Sequence, residues 1–351
     1  MKFSPLLRTT ALLLATALPL AAQEDFLHFA AKDGPGKGKH VVLLAGDEEY
    51  RSEEALPMLA KILSQRHGFD CTVLFSAEAD GTIKPGGGEL LTHPEALDSA
   101  DAIVMSLRFR HWSDDAMKRF EAALLRGAPI VALRTSTHAF NFKGDSPWAQ
   151  YSHNAKAPWA GGFGREILGE TWVAHHGKHK VEGARGIVEA AAKDDVLLRG
   201  VAEVFAESDV YTANPTADAK ILLRGAVTET LDPASPAIDG PKNTPMQPVV
   251  WTREYKNAAG KVNRVLCTTM GAACDLDNEG LRRLVVNGVF WGLGLDVPAR
   301  ANVEYVDPYA PSFFGFGGER KGLKVGDLGL GKALLPPPVA EKKEAAAEKK
   351  N

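Results

Sequence analysis

From residue 40 onward, apolar residues come in short closed runs that alternate with helix-spaced segments. HVVLLAGDEEY (40–50) is an unbroken apolar run ending in glycine and acids, the pattern of a parallel strand buried on both faces. In the following ALPMLAKILSQRHGF the apolar positions fall at helical spacing and Gly68 marks the stop. DCTVLFSA (70–77) reads as a second strand and DAIVMSLRF (101–109) as a third. SDDAMKRFEAALLRGA (113–128) has Ser113 as N-cap, two acids in its first turn and Gly127 as its end. PIVALRTS (129–136) is the fourth strand. Strand and helix alternating through short links predict right-handed crossovers and a doubly wound, mostly parallel α/β sheet in three layers.

ARGIVEAA, KILLRGAV, QPVVWTREY and NRVLCTTMG supply further strands, with an antiparallel extension among them. The segment 279–295 is an amphipathic helix whose Leu281, Leu284, Val285, Val289 and Trp291 face the core. Between 141 and 177 the chain is rich in glycine and aromatics and too long for a plain connection, which marks a lid or binding loop. KPGGGE (84–89) lacks the Lys-Ser/Thr ending of a phosphate loop and is a plain loop. The α/β domain is thus expected over 38–298. A Gly/Phe-rich arm over 299–331 lies on it, and a disordered Pro-broken, Lys/Glu/Ala-rich tail follows over 332–351.

The N-terminus adds a location. Lys2 and Arg8, the apolar ALLLATALPLAA and small residues at Ala21 and Ala22 form a signal peptide over 1–22, so the mature protein is expected to be secreted or periplasmic, with no membrane insertion. Cleavage removes Lys2 and Arg8 and no acid, moving the formal charge from −3 to −5, a balance that argues against nucleic acid as partner. Three cysteines permit one disulfide at most and do not form a disulfide framework.

In a sheet of this kind ligands sit outside the carboxyl ends of the strands. Three such ends carry polar residues: Asp47-Glu48-Glu49-Tyr50-Arg51, Arg108-Phe109-Arg110-His111, and Arg134 to His138. Arg134 closes an apolar strand and needs a partner, either a protein carboxylate such as Glu48 or Glu49, or a substrate. His138 is a candidate general base, or a histidine satisfied in its turn. Glu48 is a candidate catalytic carboxylate, while Glu53 and Glu54 read as helix N-terminal charge. Glu49, Tyr50, Arg51, Arg108, Arg110, Trp172, Asp209 and Tyr211 complete the candidate substrate contacts. Of Trp148, Trp159, Phe163 and Trp172, one is expected to touch ligand and the rest to pack. His175, His176 and His179 form the densest imidazole cluster, fit either for a divalent metal such as zinc, with His138 as a fourth ligand, or for a solvated strand end. Cys274, ahead of a helix capped by Asp275 or Asp277, is read as incidental despite the chance of a lowered pKa.

Several of these motifs, in order and each at a strand end, resemble a family. GDEEYRSEEALP, LRTSTHAF, GGFGREILGETWVAHHG, LLRGV, DVY and TTMGAACDLDNEGLRRLVVNGVFWGLG are similar to ThuA-like (trehalose-utilisation) proteins over about residues 40–318, most of all to exported versions carrying FGFGG. The resemblance implies a class I glutamine amidotransferase-like, flavodoxin-like fold and a role in breakdown of disaccharides through keto-sugars. Residues 129–140 hold no cysteine where amidotransferases place their nucleophile, so glutamine hydrolysis is not expected. Gly271-Ala272 stands where many ThuA-like chains have Gly-His. The reading that follows is an enzyme acting on a sugar or keto-glycoside by proton-transfer chemistry, as lyase, isomerase or hydrolase. Arg134 or a metal would stabilise an enolate oxygen while His138 or Glu48 takes the proton. The alternative is a carbohydrate-binding or scaffolding protein that kept the fold without the chemistry. Oligomerisation stays open.

Overall fold

The computed structural model describes residues 25–336; the signal peptide expected over 1–22 and most of the tail expected over 332–351 lie outside them. Among the described residues twelve strands form in chain order: β1 Leu27–Phe29, β2 His40–Gly46, β3 Asp70–Phe75, β4 Ala102–Leu107, β5 Ile130–Leu133, β6 Ala174–His175, β7 Ala184–Val188, β8 Val204–Ala206, β9 Tyr211–Thr212, β10 Lys220–Val227, β11 Gln247–Lys256 and β12 Val262–Thr268. Three α-helices accompany them, α1 Ser52–His67, α2 Asp114–Leu125 and α3 Glu279–Gly292.

All strands but β6 and β9 make one ten-stranded sheet in the order β1-β3-β2-β4-β5-β12-β11-β10-β7-β8. Its centre, β3-β2-β4-β5-β12, is parallel throughout. The outer strands are antiparallel: β1 on β3, and β11, β10, β7 and β8 in succession beyond β12. The expectation of a mostly parallel sheet therefore holds for the centre, and the antiparallel extension is larger than the apolar runs alone indicate.

Period-two alternation divides the centre between two cores. Val41 and Leu43 of β2 pack with Leu56, Leu59 and Leu63 of α1 and with Leu281, Leu284 and Val285 of α3. Val42 and Leu44 point the other way, toward Met117 and Phe120 of α2. Ser113 caps α2 as its sequence indicates, accepting from Ala116 N–H. The cap of α3 is Asn278, which accepts from Leu281 N–H, and not Asp275 or Asp277. Asp275 is instead drawn inward by four donors, the backbone N–H groups of Ser208, Gly271 and Ala272 and the Ser208 hydroxyl.

The arm wraps the outer side of α1, which is why charged residues of that helix are buried. Lys61 pairs with Asp307 at 2.7 Å and donates to the Lys332 carbonyl; Glu54 accepts from Ser312 N–H at 2.6 Å and from Arg320 Nε at 2.9 Å. Burial without such partners would be costly for either charge. The arm ends in a bridge between Tyr309 and Leu334. All three cysteines are free and buried, and burial pushes the Cys274 thiol upward, the opposite of an activated nucleophile.

Candidate functional site

Strain concentrates at the carboxyl edge of the parallel centre. Arg51, Phe109 and Arg134, each just past β2, β4 or β5, have left-handed backbone at φ 60°, 52° and 43°, and Lys180 beside them has φ 61°. Such conformations cost of order 1–3 kcal/mol each in non-glycine residues and persist where the surroundings impose them, which is common at binding sites. Asp47 holds the first of these turns, accepting from Glu49 and Tyr50 N–H at 2.7 and 2.9 Å and from the Thr135 hydroxyl.

Between these turns and the two-stranded ribbon β6/β9 lies a cleft of about 410 Å³. Glu49, Arg108, Phe109 and His138 line it from the strand ends; Trp172, His175, His179, Lys180 and Tyr211 from the ribbon side; Phe316 from the arm. The ribbon pairs His175 with Tyr211 and is only two residues long in each strand.

Asp209 is the hub. Fully buried, it stands 2.7 Å by Oδ2 from His175 Nδ1 and 3.0 Å by Oδ1 from His179 Nδ1. Arg134, itself without exposure, donates from Nη2 to Asp209 Oδ1 at 2.9 Å and to Tyr50 Oη, and from Nη1 to the carbonyls of Asp209 and Thr269 at 2.6 Å each. Its guanidinium also lies 3.8 Å from the Tyr211 ring centre and 4.6 Å from that of Tyr50. Burial would raise the Asp209 carboxyl, but the His175 hydrogen bond and the Arg134 charge outweigh it and pull the group down to about 2. An ionised carboxylate only accepts, so both imidazoles donate from Nδ1. His179 then reaches Glu49 Oε1 with Nε2 at 3.3 Å. Burial, with Asp47 nearby, pushes the Glu49 carboxyl above its usual range.

The candidates from the sequence separate cleanly. Arg134 does not line the cleft: its partner is Asp209, not Glu48, Glu49 or an open ligand site. Glu48 is engaged by Arg108 and, at 2.7 Å, by Arg110, and does not line the cleft either, because two guanidiniums from the next strand end hold it. His138 is in the cleft wall, and burial, reinforced by Arg108, keeps its imidazole well below the usual range and neutral. It is not among the groups close enough to share an ion with His175, His179 and Asp209. His176 turns away and bonds the Lys242 carbonyl at 2.7 Å, so the three-histidine cluster becomes two histidines and an aspartate. Arg51 donates to the carbonyls of Glu48 and Gly315, fastening the arm. Of the four loop aromatics, Trp148, Trp159 and Phe163 pack in the α2-side core and Trp172 lines the cleft. Its indole N–H has no partner among the described residues. Within the same loop, a Cβ on Gly164 would stand 2.0 Å from the Thr137 carbonyl oxygen, so only glycine lets the loop close on the 134–138 turn.

Phe109, Lys180 and Phe316 were not among the sequence candidates. Phe109 lay inside the Arg-Phe-Arg strand end and Phe316 inside FGFGG, whose glycines read only as an arm.

In structure the chain is similar to two proteins described as ThuA-like. One, from Bacteroides uniformis ATCC 8492, matches 74% of this chain and 94% of its own at 14% identity and a TM-score of 0.45. The other, from Parabacteroides merdae ATCC 43184, matches 82% of this chain and 99% of its own at 15% identity and a TM-score of 0.43. No family model matches the chain, and no curated protein does.

Proposed function

We propose that this is an exported, ThuA-like enzyme of carbohydrate catabolism with a flavodoxin-like wound core, and that its cleft moves protons next to the carbonyl of a keto-glycoside. The observation that carries the chemistry is one carboxylate, Asp209, bonded to Nδ1 of both cleft imidazoles. A neutral imidazole that donates from Nδ1 keeps a lone pair on Nε2. For His175 that nitrogen has no partner among the described residues, and the side chain is 37% exposed in the cleft. For His179 the same lone pair meets Glu49, so the shared proton sits on the Glu49 carboxyl.

The result is a chain Glu49–His179–Asp209–His175 whose ends, a proton donor and a proton acceptor, both open on one cleft. Beside a ketone, His175 Nε2 takes the proton of the adjacent C–H and the electron pair moves onto the carbonyl oxygen. Glu49 protonates that oxygen, giving an enediol; the protonated His175 then returns its proton either to the other carbon or to the oxygen of a β leaving group as that C–O bond breaks, while Glu49 takes back an enol proton as the carbonyl re-forms. Arg134, fixed beneath Asp209, offsets the carboxylate charge without entering the reaction.

The substrate class is supported by the sequence motifs that resemble ThuA-like proteins and by the cleft walls. Trp172, Phe109 and Phe316 offer aromatic surface to the cleft. Export rests on the Met1–Ala22 pattern alone. The test is incubation of the protein with keto-glycosides and their parent disaccharides in D2O. Deuterium entering the position next to the carbonyl, by wild type and not by His175→Ala, supports the reading; no exchange and no turnover with any keto-glycoside overturns it.

A further inference from the structure

We infer that His175, His179 and Asp209 are a mononuclear site for a divalent first-row transition ion, bound through both Nδ1 atoms and the carboxylate. The inference rests on the cleft being the active site and adds an electrophile to it. Three features of the fold carry it.

The donor set is two imidazoles and one carboxylate, the combination that binds such ions on one face and leaves the opposite positions open. The donor atoms face each other: Nδ1 to oxygen separations are 2.7 and 3.0 Å, and all three ligating atoms fall within 4.8 Å of one another. Two ligands each about 2.1 Å from one ion and at right angles to it lie about 3.0 Å apart, so the side chains need little movement to accept it.

The backbone is shaped for that convergence. Gly177, between the two histidines, would place a Cβ 2.9 Å from Asp209 Cβ, so glycine alone lets the loop close around the carboxylate. Its N–H and that of His176 both donate to the Val210 carbonyl at 2.9 Å, locking the loop to the segment just ahead of β9 that carries Asp209. Asp275 holds the preceding Ser208 by its N–H and hydroxyl, fixing the aspartate from the other side.

An outer shell is already in place. With Nδ1 given to the ion, the imidazole proton resides on Nε2, and the Nε2 of His179 lies 3.3 Å from Glu49 Oε1, a carboxylate placed to accept it. Arg134 Nη2 does the same for the aspartate, holding Oδ1 at 2.9 Å from outside the cleft. An ion held by His175, His179 and Asp209 would supply an electrophile for a carbonyl oxygen, with Glu49 placed to accept a proton; without an ion, Glu49 is the donor and His175 the acceptor.

The experiment strips the purified full chain with chelator and titrates Co2+ and Zn2+, reading Co2+ visible absorption and the heat of binding. One ion per chain is expected, with His175→Ala and His179→Ala each weakening Co2+ binding at least 100-fold and His176→Ala leaving it unchanged, since His176 points to Lys242. Circular dichroism establishes that each variant is folded. No binding up to millimolar ion, or binding unaffected by His175→Ala and His179→Ala, overturns the site. The D2O exchange assay, with and without chelator, separates this from the catalytic reading. Stoichiometric binding without exchange leaves the ion site standing and the enzyme reading fallen, whereas exchange unaffected by chelator, with no Co2+ bound, does the reverse.

Discussion

Arg134 and Asp209 form an ion pair with no solvent exposure on either side chain, 2.9 Å apart, and each satisfies several other groups at once. Arg134 holds the aspartate from beneath, while Asp209 itself reaches both cleft imidazoles. Removing one partner from a buried pair costs about 3–5 kcal/mol, because the charge left behind stays buried. Arg134→Met is therefore expected to lower the unfolding free energy by that amount, and Arg134→Lys to recover little of it, since an ammonium cannot make four bonds in one plane. Equilibrium unfolding checks both.

His175 stands in the opposite situation. Its side chain is 37% exposed and it packs against Trp172 and Tyr211 only by ring edges. His175→Ala should cost less stability than Arg134→Met, about 1.5–3 kcal/mol for one hydrogen bond to the buried Asp209, while lowering the rate of proton exchange on a keto-glycoside by about 10²–10⁴, the usual worth of a positioned acid or base. A stability loss as large as that of Arg134→Met would assign His175 a packing role.

Two phenylalanines of the arm are expected to behave differently. Phe314 is 2% exposed and stacks on Tyr50 and against His179, so Phe314→Ala should cost about 3 kcal/mol and make the arm sensitive to limited proteolysis. Phe316 is 62% exposed at the cleft mouth, 5.0 Å from the Arg108 guanidinium. Phe316→Ala should leave stability alone and raise KM for a turned-over keto-glycoside about two- to tenfold, the range of one aromatic contact.

Glu53 makes stability fall as pH rises from weakly acid to about 8. It is buried, neither carboxyl oxygen has a partner among the described residues, and burial, with the neighbouring Glu54 charge, pushes it up from 4.5 to about 8. Arg51 opposes the shift and Asp47 adds to it. Below the unfolded pKa both states are protonated and nothing is lost. Between 4.5 and about 8 the unfolded chain ionises while the folded one holds its proton, so stability falls as pH rises through that window and levels off above it. The full difference is on the order of 5 kcal/mol at about 1.4 kcal/mol per unit. Unfolding measured from pH 4 to 9 should show that slope, and Glu53→Gln should flatten it.

The central strands were legible because burial on both faces leaves an unbroken apolar run, and strand ends then stand out as the first polar residues after it. Arg134 and His138 were placed at the crevice by that rule. The role of Arg134 was not legible: Asp209 lies 75 residues further on, in an irregular segment just ahead of a ribbon whose paired strands are two residues long and have no period to detect. Glu48 was preferred to Glu49 for being nearer the strand end, but the left-handed turn at Arg51 and the Asp47 hydrogen bonds put Glu49 in the cleft and leave Glu48 to Arg108 and Arg110. Among the histidines, adjacency in sequence grouped His175 with His176. His176 falls just past β6, where the chain bends and turns its ring to the Lys242 carbonyl, and that separates them.

The most direct measurement is nitrogen NMR of 15N-histidine-labelled, chelator-treated protein near neutral pH, with His175→Ala and His179→Ala to assign the signals. The account predicts that both imidazoles carry their proton on Nδ1 and leave Nε2 bare, as donation to Asp209 demands. A proton on Nε2 of both rings with Nδ1 bare, in the ion-free protein, would contradict it.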